Sequence, residues 1–236
     1  RINSVNSFTK GLKDGLPIGL GYLSVSFSFG IKAAAGGLTI LQSLLISMCN
    51  MTSAGQVAGL DAMIRLAPLL EVALVQLTIN IRYSLMSISL SQKLDQSMTL
   101  PHRLAASFFN TDEVFAVASS QTGLLGKSYL YGLGAMPYAG WSLGTFLGAA
   151  AGTILPASVC SALGIAIYGM FIAIIVPPAK KFRAVRLVVL LSFALSLLLT
   201  YAPLFSGVSG GVSVIVCAIV AAGAGALLFP IKEAAQ

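Results

Sequence analysis

Arg82, Asp112 and Glu113 are ionisable side chains set inside apolar runs of the sequence. An ionised group in a bilayer core costs roughly 2.5–3.5 kcal/mol on insertion scales, so such groups are normally kept for a pathway, a relay or a pair. Asn110 and Thr111 precede the two carboxylates, and Glu71, Gln76 and Asn80 share a run with Arg82. Two carboxylates opposite one guanidinium make an ion pair and leave one carboxyl group to take up and release a proton. Asp112 or Glu113 is therefore a candidate proton-coupling residue, with Arg82 as the ion-pair partner. A static pair that merely fixes two helices is the competing reading.

A second constellation is Asn50, Thr52, Ser53 and Gln56, interspersed with Gly55 and Gly59. Small polar residues and glycine in mid-run favour a broken helix, whose free backbone ends suit the carboxylate or ammonium of a small zwitterion. These four, with Asn80, are the candidate substrate-binding residues. A helix interface held by amide and hydroxyl hydrogen bonds is the alternative. Gly140, Gly144, Gly148 and Gly152 recur every fourth residue and line one helical face, and Gly11, Gly15 and Gly19 repeat the device. Small residues at that spacing let helices approach closely. The expected role is packing within the chain, with a ridge for a second subunit as the sharper alternative.

Other chemistry is not encoded. The sequence has no phosphate-binding G-x-x-x-x-G-K-[ST] and no H-E-x-x-H. Its one histidine, His102, sits beside Pro101 in an expected loop, which excludes a histidine-cluster metal site. Cys49, Cys160 and Cys217 lie in apolar runs at spacings that match no zinc or redox motif, and are read as packing residues. No catalytic residue, cofactor or metal is assigned.

The elements that must position these groups are membrane helices. Of 236 residues, 57% are hydrophobic and 9% charged, against about 25% charged in soluble proteins. The mean hydropathy is +0.92. The net charge of +7 is spread at the ends of apolar runs rather than gathered in one patch, so nucleic acid is not an expected partner; the lipid bilayer is. The fold class is all-α integral membrane, and residues 1–236 form a single polytopic membrane domain.

Eight apolar segments are expected to span: Gly15–Gly37, Thr39–Leu60, Leu66–Leu90, Leu104–Leu125, Ser128–Leu155, Ala157–Pro177, Ala184–Phe205 and Val208–Phe229. The first is read as a span rather than a signal peptide. The fourth is the ambiguous one, because it holds Asn110–Glu113. Counting it places Arg1, Lys10, Lys13, Arg65, Lys127, Lys180, Lys181, Arg183, Arg186 and Lys232 inside and only Lys32, Lys93 and Arg103 outside. Omitting it moves the Lys180–Arg186 cluster outside, against the positive-inside rule. The expectation is eight spans with both termini cytoplasmic. Arg82 then lies about 12 Å below the outer end of the third span, level with Asp112 in the antiparallel fourth, so Arg82 is expected to pair with Asp112 or Glu113. A shift of 116 residues sets Tyr22 on Tyr138, Ser26 on Ser142 and Ala33–Gly36 on Ala149–Gly152, which suggests repeated halves, 1–118 and 119–236.

Four stretches carry a family likeness: Lys10-Gly-Leu-Lys-Asp-Gly-Leu-Pro-Ile18, Asn80-Ile-Arg-Tyr-Ser-Leu-Met86, Thr111-Asp-Glu-Val-Phe-Ala116, and Trp141 followed by the Gly144–Gly152 ladder. In these the chain resembles the AzlC family, the large subunit of branched-chain amino acid exporters. It departs from the family pattern at Thr52-Ser-Ala-Gly-Gln-Val57, where Gln56 is kept but the flanking residues differ, and at Tyr83, where histidine is usual. The resemblance implies a small hydrophobic AzlD-type partner subunit of about four spans. It also implies export of valine, leucine, isoleucine or similar amino acids from a bacterial cytoplasm, driven by the proton gradient. From the residues alone, four readings compete. They are a secondary transporter subunit, a permease or channel for another small solute, a membrane-embedded enzyme using Asp112 and Glu113, and a purely structural assembly subunit, which would not need Arg82, Asp112 and Glu113 in the bilayer. The enzyme reading lacks a nucleophile or metal constellation.

Overall fold

A computed structural model of the chain describes residues 6–156, 158–159, 172, 175–205 and 207–230. Among the described residues the regular structure is helical: α1 (Phe8–Ala35), α2 (Ile40–Cys49), α3 (Ser53–Ile64), α4 (Leu69–Ser91), α5 (Leu100–Ser107), α6 (Asp112–Ser120), α7 (Lys127–Gly152), α8 (Arg183–Tyr201) and α9 (Gly210–Leu228). The chain divides into two compact units, Arg1–Leu60 with Ile79–Ile167, and Asp61–Thr78 with Tyr168–Gln236.

Four helices, α1, α4, α8 and α9, are long and apolar enough to cross a membrane. They correspond to the first, third, seventh and eighth expected segments. The fifth is α7, whose 26 residues give about 39 Å of helix. Most of the sixth, with Cys160, falls outside the described residues. The outer surface is apolar in helical register: Leu77, Ile81, Leu85 and Ile88 of α4 are each 59–68% exposed. Such a stripe is stable against lipid tails and not against water. Cys217 is buried, whereas Cys49 is exposed rather than packed.

In the first unit α1 and α7 pack in parallel along their whole lengths. Gly11 lies against Leu133, Gly19 against Met136 and Gly140, Gly30 against Ala149, and Gly152 against Ala34. A Cβ added at Gly19 would stand 2.6 Å from the Met136 carbonyl oxygen, and one at Gly30 would stand 2.6 Å from the Ala149 nitrogen. Backbone meets backbone, which only glycine permits. The ladder Gly140–Gly144–Gly148–Gly152 thus faces α1 of the same chain, and Gly132 extends it.

Two expected spans are not continuous helices. Thr39–Leu60 breaks at Asn50, whose backbone is extended (φ −147°, ψ 115°). There Asn50 Oδ1 accepts from Thr52 N (2.9 Å) and Thr52 Oγ1 accepts from Gly55 N (3.3 Å). The side chains of Ser47 and Gln56 hydrogen-bond across the break. Nine residues of straight helix would separate them by about 13.5 Å, so the chain turns here.

Leu104–Leu125 breaks between α5 and α6, where Thr111 caps α6 by accepting from Val114 N. α5 runs parallel to α7, with His102 Nδ1 2.9 Å from Tyr131 Oη and Phe108 5.9 Å from Tyr138. α6 then returns along α1, from Tyr22 at Thr111 (2.7 Å) to Lys10 at Gln121 (2.7 Å). Residues 97–125 therefore form a helical hairpin that enters and leaves at one end of the α1–α7 pair. Lys127 N donates to Ser97 Oγ (3.2 Å), and Leu94 and Leu125 form a bridge that closes its base. The expectation of Leu104–Leu125 as one crossing helix is corrected accordingly. Half-depth helices of eight and nine residues cannot each cross about 30 Å of hydrocarbon.

In the second unit α8 and α9 pack against one another, with Val188 seated on Gly225. Arg65 and Glu71 form an ion pair at 3.4 Å, and Glu71 lies against Gly211.

Candidate functional site

The two breaks and the middle of α1 come together in the first unit. Tyr22 is the fifteenth residue of the 28-residue α1, near its midpoint. Its hydroxyl lies 2.7 Å from Thr111 Oγ1 and makes a very short hydrogen bond to Glu113 Oε2. Its ring meets Trp141 edge-on at 5.2 Å. Trp141 Nε1 donates to Asn50 O (3.1 Å) and Gln56 Oε1 (3.0 Å), so one indole tethers both sides of the α2–α3 break. Gln56, 1% exposed, bonds Ser47 in turn. Ser47 and Thr145 are 2.6 Å apart. Ser26 Oγ closes the chain onto the Tyr22 carbonyl at 2.7 Å. In a low-dielectric interior such a connected network fixes one geometry, because each lost bond leaves a buried polar group unpaired.

The charged groups lie beside this network. Arg82 Nη1 is 2.6 Å from Asp112 Oδ2, with the two side chains 46% and 44% exposed. Arg82 also donates to Tyr83 Oη (3.1 Å), and its guanidinium sits 4.9 Å from the Tyr83 ring centroid. The structure thus gives each carboxylate its own partner: Asp112 takes Arg82, and Glu113 takes Tyr22. Of the two, Asp112 is paired with a cation and Glu113 is hydrogen-bonded to a phenol.

Among the candidate substrate-binding residues, Asn50 and Thr52 form the break between α2 and α3, and Ser53 and Gln56 lie in the first turn of α3 beside it. Thr52 is buried. Asn80 is half-buried on α4, two residues before Arg82 and so on a different face of that helix. Tyr22, Ser26, Ser47 and Thr145 were not singled out as site residues from the sequence. The available signal was polar residues in otherwise apolar runs, with Tyr22 and Ser26 four apart on one helical face. A separate cluster at the start of α1 joins Lys10 to Asp14 (2.7 Å), with Tyr129 Oη donating to Asp14 (2.8 Å).

The AzlC protein family model matches residues 17–155, which hold both turns, Tyr22, Arg82, Asp112, Glu113 and Trp141. The chain belongs to the AzlC family. Among AzlC-family relatives it is 33% identical over 175 residues to an uncharacterized membrane protein of Archaeoglobus fulgidus, covering 73% of this chain and 76% of that one. It is 27% identical over 183 residues to inner membrane protein YgaZ of Escherichia coli, covering 74% of each. A Helicobacter pylori membrane protein is 24% identical over 156 residues, covering 63% of this chain and 68% of that one. No solved structure matches. Since the matched span ends at residue 155, the AzlC assignment rests on the α1–α7 region.

Proposed function

We propose that this chain is a secondary transporter subunit that exports branched-chain or similar small apolar amino acids across the bacterial cytoplasmic membrane, coupled to protons. Its partner is a small AzlD-type membrane subunit. The observation that carries the reading is the meeting of two helix breaks, an ion pair and the Tyr22–Glu113 contact near the midpoint of α1. Interrupted helices at membrane depth are tolerated where they are buried in protein or line a water-filled cavity, and they are how transporters present backbone ends to a substrate. Asn50, Thr52, Ser53 and Gln56, with Asn80, are the proposed substrate-side groups. Arg82 and Asp112 form the charge pair, and Glu113 is the carboxyl group that exchanges a proton.

Charge placement supports the orientation. Lys10, Lys13, Lys93, Arg103 and Lys127 lie towards the end of the α1–α7 pair where α1 begins, and Lys32 lies in the last turn of α1 at the other end. The positive-inside rule makes the first end cytoplasmic, which agrees with a cytoplasmic N-terminus. The half-exposed Arg82 and Asp112 are unsuited to lipid and favour an aqueous path or a covering subunit there. The test is reconstitution of the chain with and without its small partner in vesicles loaded with leucine or valine. Gradient-dependent efflux supports the reading; no flux in either case defeats it.

A further inference from the structure

A cavity of about 220 Å³ lies between the C-terminal half of α4 and the hairpin formed by α5 and α6. It runs from Met98 and Arg103 at the hairpin base to Ser87 and Asn110 at the tip. Leu90, Met98 and Val114 belong to the buried core, so close packing holds the shape of that wall. Five polar side chains interrupt the apolar lining: Ser87 and Ser91, one turn apart on α4, Arg103 and Ser107 on α5, and Asn110 at the tip. Arg103 is exposed at the lysine-rich end of the α1–α7 pair, where a guanidinium meets water rather than lipid tails. Asn110 is 5% exposed, and its Nδ2 donates to Ser87 Oγ at 3.0 Å. Its Oδ1 is buried with no hydrogen-bond partner. A buried acceptor left unpaired is costly and calls for a donor from elsewhere.

A hydrocarbon chain would match the leucines of the wall but bring no donor to Asn110 and leave the serines facing carbon. Water serves both. The volume holds several molecules at about 30 Å³ each, and a buried water takes about two to four polar partners; Asn110 Oδ1 and the Ser87 hydroxyl stand together at the tip for the innermost one. Asn110 is followed by Thr111 and Asp112, the partners of Tyr22 and Arg82. We propose that this cavity is a water-filled vestibule that admits the cytoplasmic solution to the hairpin tip and supplies protons to the carboxylates there. The vestibule stands on the cavity and on Asn110; its use as a proton route rests on the transport reading above.

The test is thiol labelling of the full chain with its small partner in sealed vesicles, in a cysteine-free background, by a membrane-impermeant trimethylammonium methanethiosulfonate. Ser87→Cys and Ser91→Cys should react from the same side as Lys127→Cys. Leu85→Cys, at a position 68% exposed on the apolar stripe of α4, is the lipid-facing control. Ser87→Cys is expected to react at least about tenfold faster than Leu85→Cys, because the reagent attacks the thiolate, which forms in water and not in apolar surroundings. Ala106→Phe fills the cavity, and should remove most of the Ser87→Cys reaction and slow gradient-driven efflux. If Ala106→Phe does not fold, Leu104→Trp, at a position 65% exposed, takes its place. Ser87→Cys reacting no faster than Leu85→Cys, the result if a lipid tail or a partner side chain fills the cavity, overturns the vestibule, as does reaction from the opposite side alone. Protection of Ser87→Cys with gradient-driven efflux unchanged overturns the proton route. Fast labelling of Ser87→Cys in a protein that shows no flux would sink the transport reading and leave the vestibule standing.

Discussion

The Lys10 ammonium donates to the Gln121 side-chain carbonyl at 2.7 Å, although the two residues bound the first span and the fourth apolar segment. That contact sets the end of α6 beside the start of α1. Because Thr111, at the other end of α6, reaches Tyr22, the hairpin stops at mid-depth and returns. The reversal turns a candidate crossing into a loop that carries its polar residues to the midpoint of α1.

The first prediction concerns sidedness. In a cysteine-free background, Lys93→Cys, Gln121→Cys and Lys127→Cys should be labelled by a membrane-impermeant maleimide from the same side as Asn6→Cys. Ala35→Cys should be labelled from the other side. Labelling of Lys93→Cys and Lys127→Cys from opposite sides would reinstate a full crossing between them.

A second prediction concerns the α1–α7 seam. Gly19→Ala sets a methyl 2.6 Å from the Met136 carbonyl oxygen, and backbone on both sides cannot yield cheaply. Overpacking of this kind costs about 1–3 kcal/mol. Gly21 is the matched control on the same helix, with nothing within 4 Å of an added Cβ. There alanine should be neutral or stabilise by up to about 1 kcal/mol through helix propensity. Thermal melts in detergent followed by circular dichroism should separate the two; equal melting points would refute the tight seam.

The polar network makes a third. Trp141→Phe removes the donor shared by Asn50 O and Gln56 Oε1 and should cost about 1–3 kcal/mol, the penalty for leaving buried acceptors unpaired. Gln56→Leu should cost a similar amount, because Ser47 and the indole each lose one of two buried partners. Because they share one bond, the double variant should lose less than the sum of the two, by about 0.5 kcal/mol or more. Strict additivity in denaturant titrations would mean that the indole and the amide act independently.

Much of this site was legible beforehand, and the reasons it was only partly so are physical. Polar residues at Asn50–Gln56 marked a break in one apolar run, whereas those at Asn110–Glu113 only made the count of spans ambiguous. Arg82 and Asp112 were matched by depth, a matter of residue count and helical rise. The returns were not visible, because hydropathy measures how many apolar residues occur in a row and not the direction in which they travel. Charge could not reveal them either. Sidedness alternates with each crossing, and two segments that both turn back change the count by an even number. Lys127 therefore keeps the side it has in an eight-crossing count, while Lys93 and Arg103 move to join Lys10. Tyr22 escaped notice because a lone tyrosine in an apolar helix looks like packing until its hydroxyl finds a carboxylate.

The ion pair yields a fourth prediction. Arg82→Ala leaves Asp112 without its cation and should lower stability by about 1–3 kcal/mol, between the values for exposed and buried pairs. Adding Asp112→Asn should recover part of the loss. A double variant no more stable than Arg82→Ala would show that the arginine acts through Tyr83 or packing instead of through the charge of Asp112.

In the proposed mechanism Glu113, held by Tyr22, couples amino acid movement to protons while Asp112 serves the ion pair. Its most direct test is leucine efflux from vesicles containing the chain and its small partner, with and without an imposed pH gradient. Glu113→Gln, Asp112→Asn and the unaltered protein are compared side by side. The gradient should accelerate efflux in the unaltered protein and, at a reduced rate, in Asp112→Asn. In Glu113→Gln any remaining efflux should not respond to the gradient. A Glu113→Gln protein whose efflux still follows the pH gradient as the unaltered protein does would contradict it.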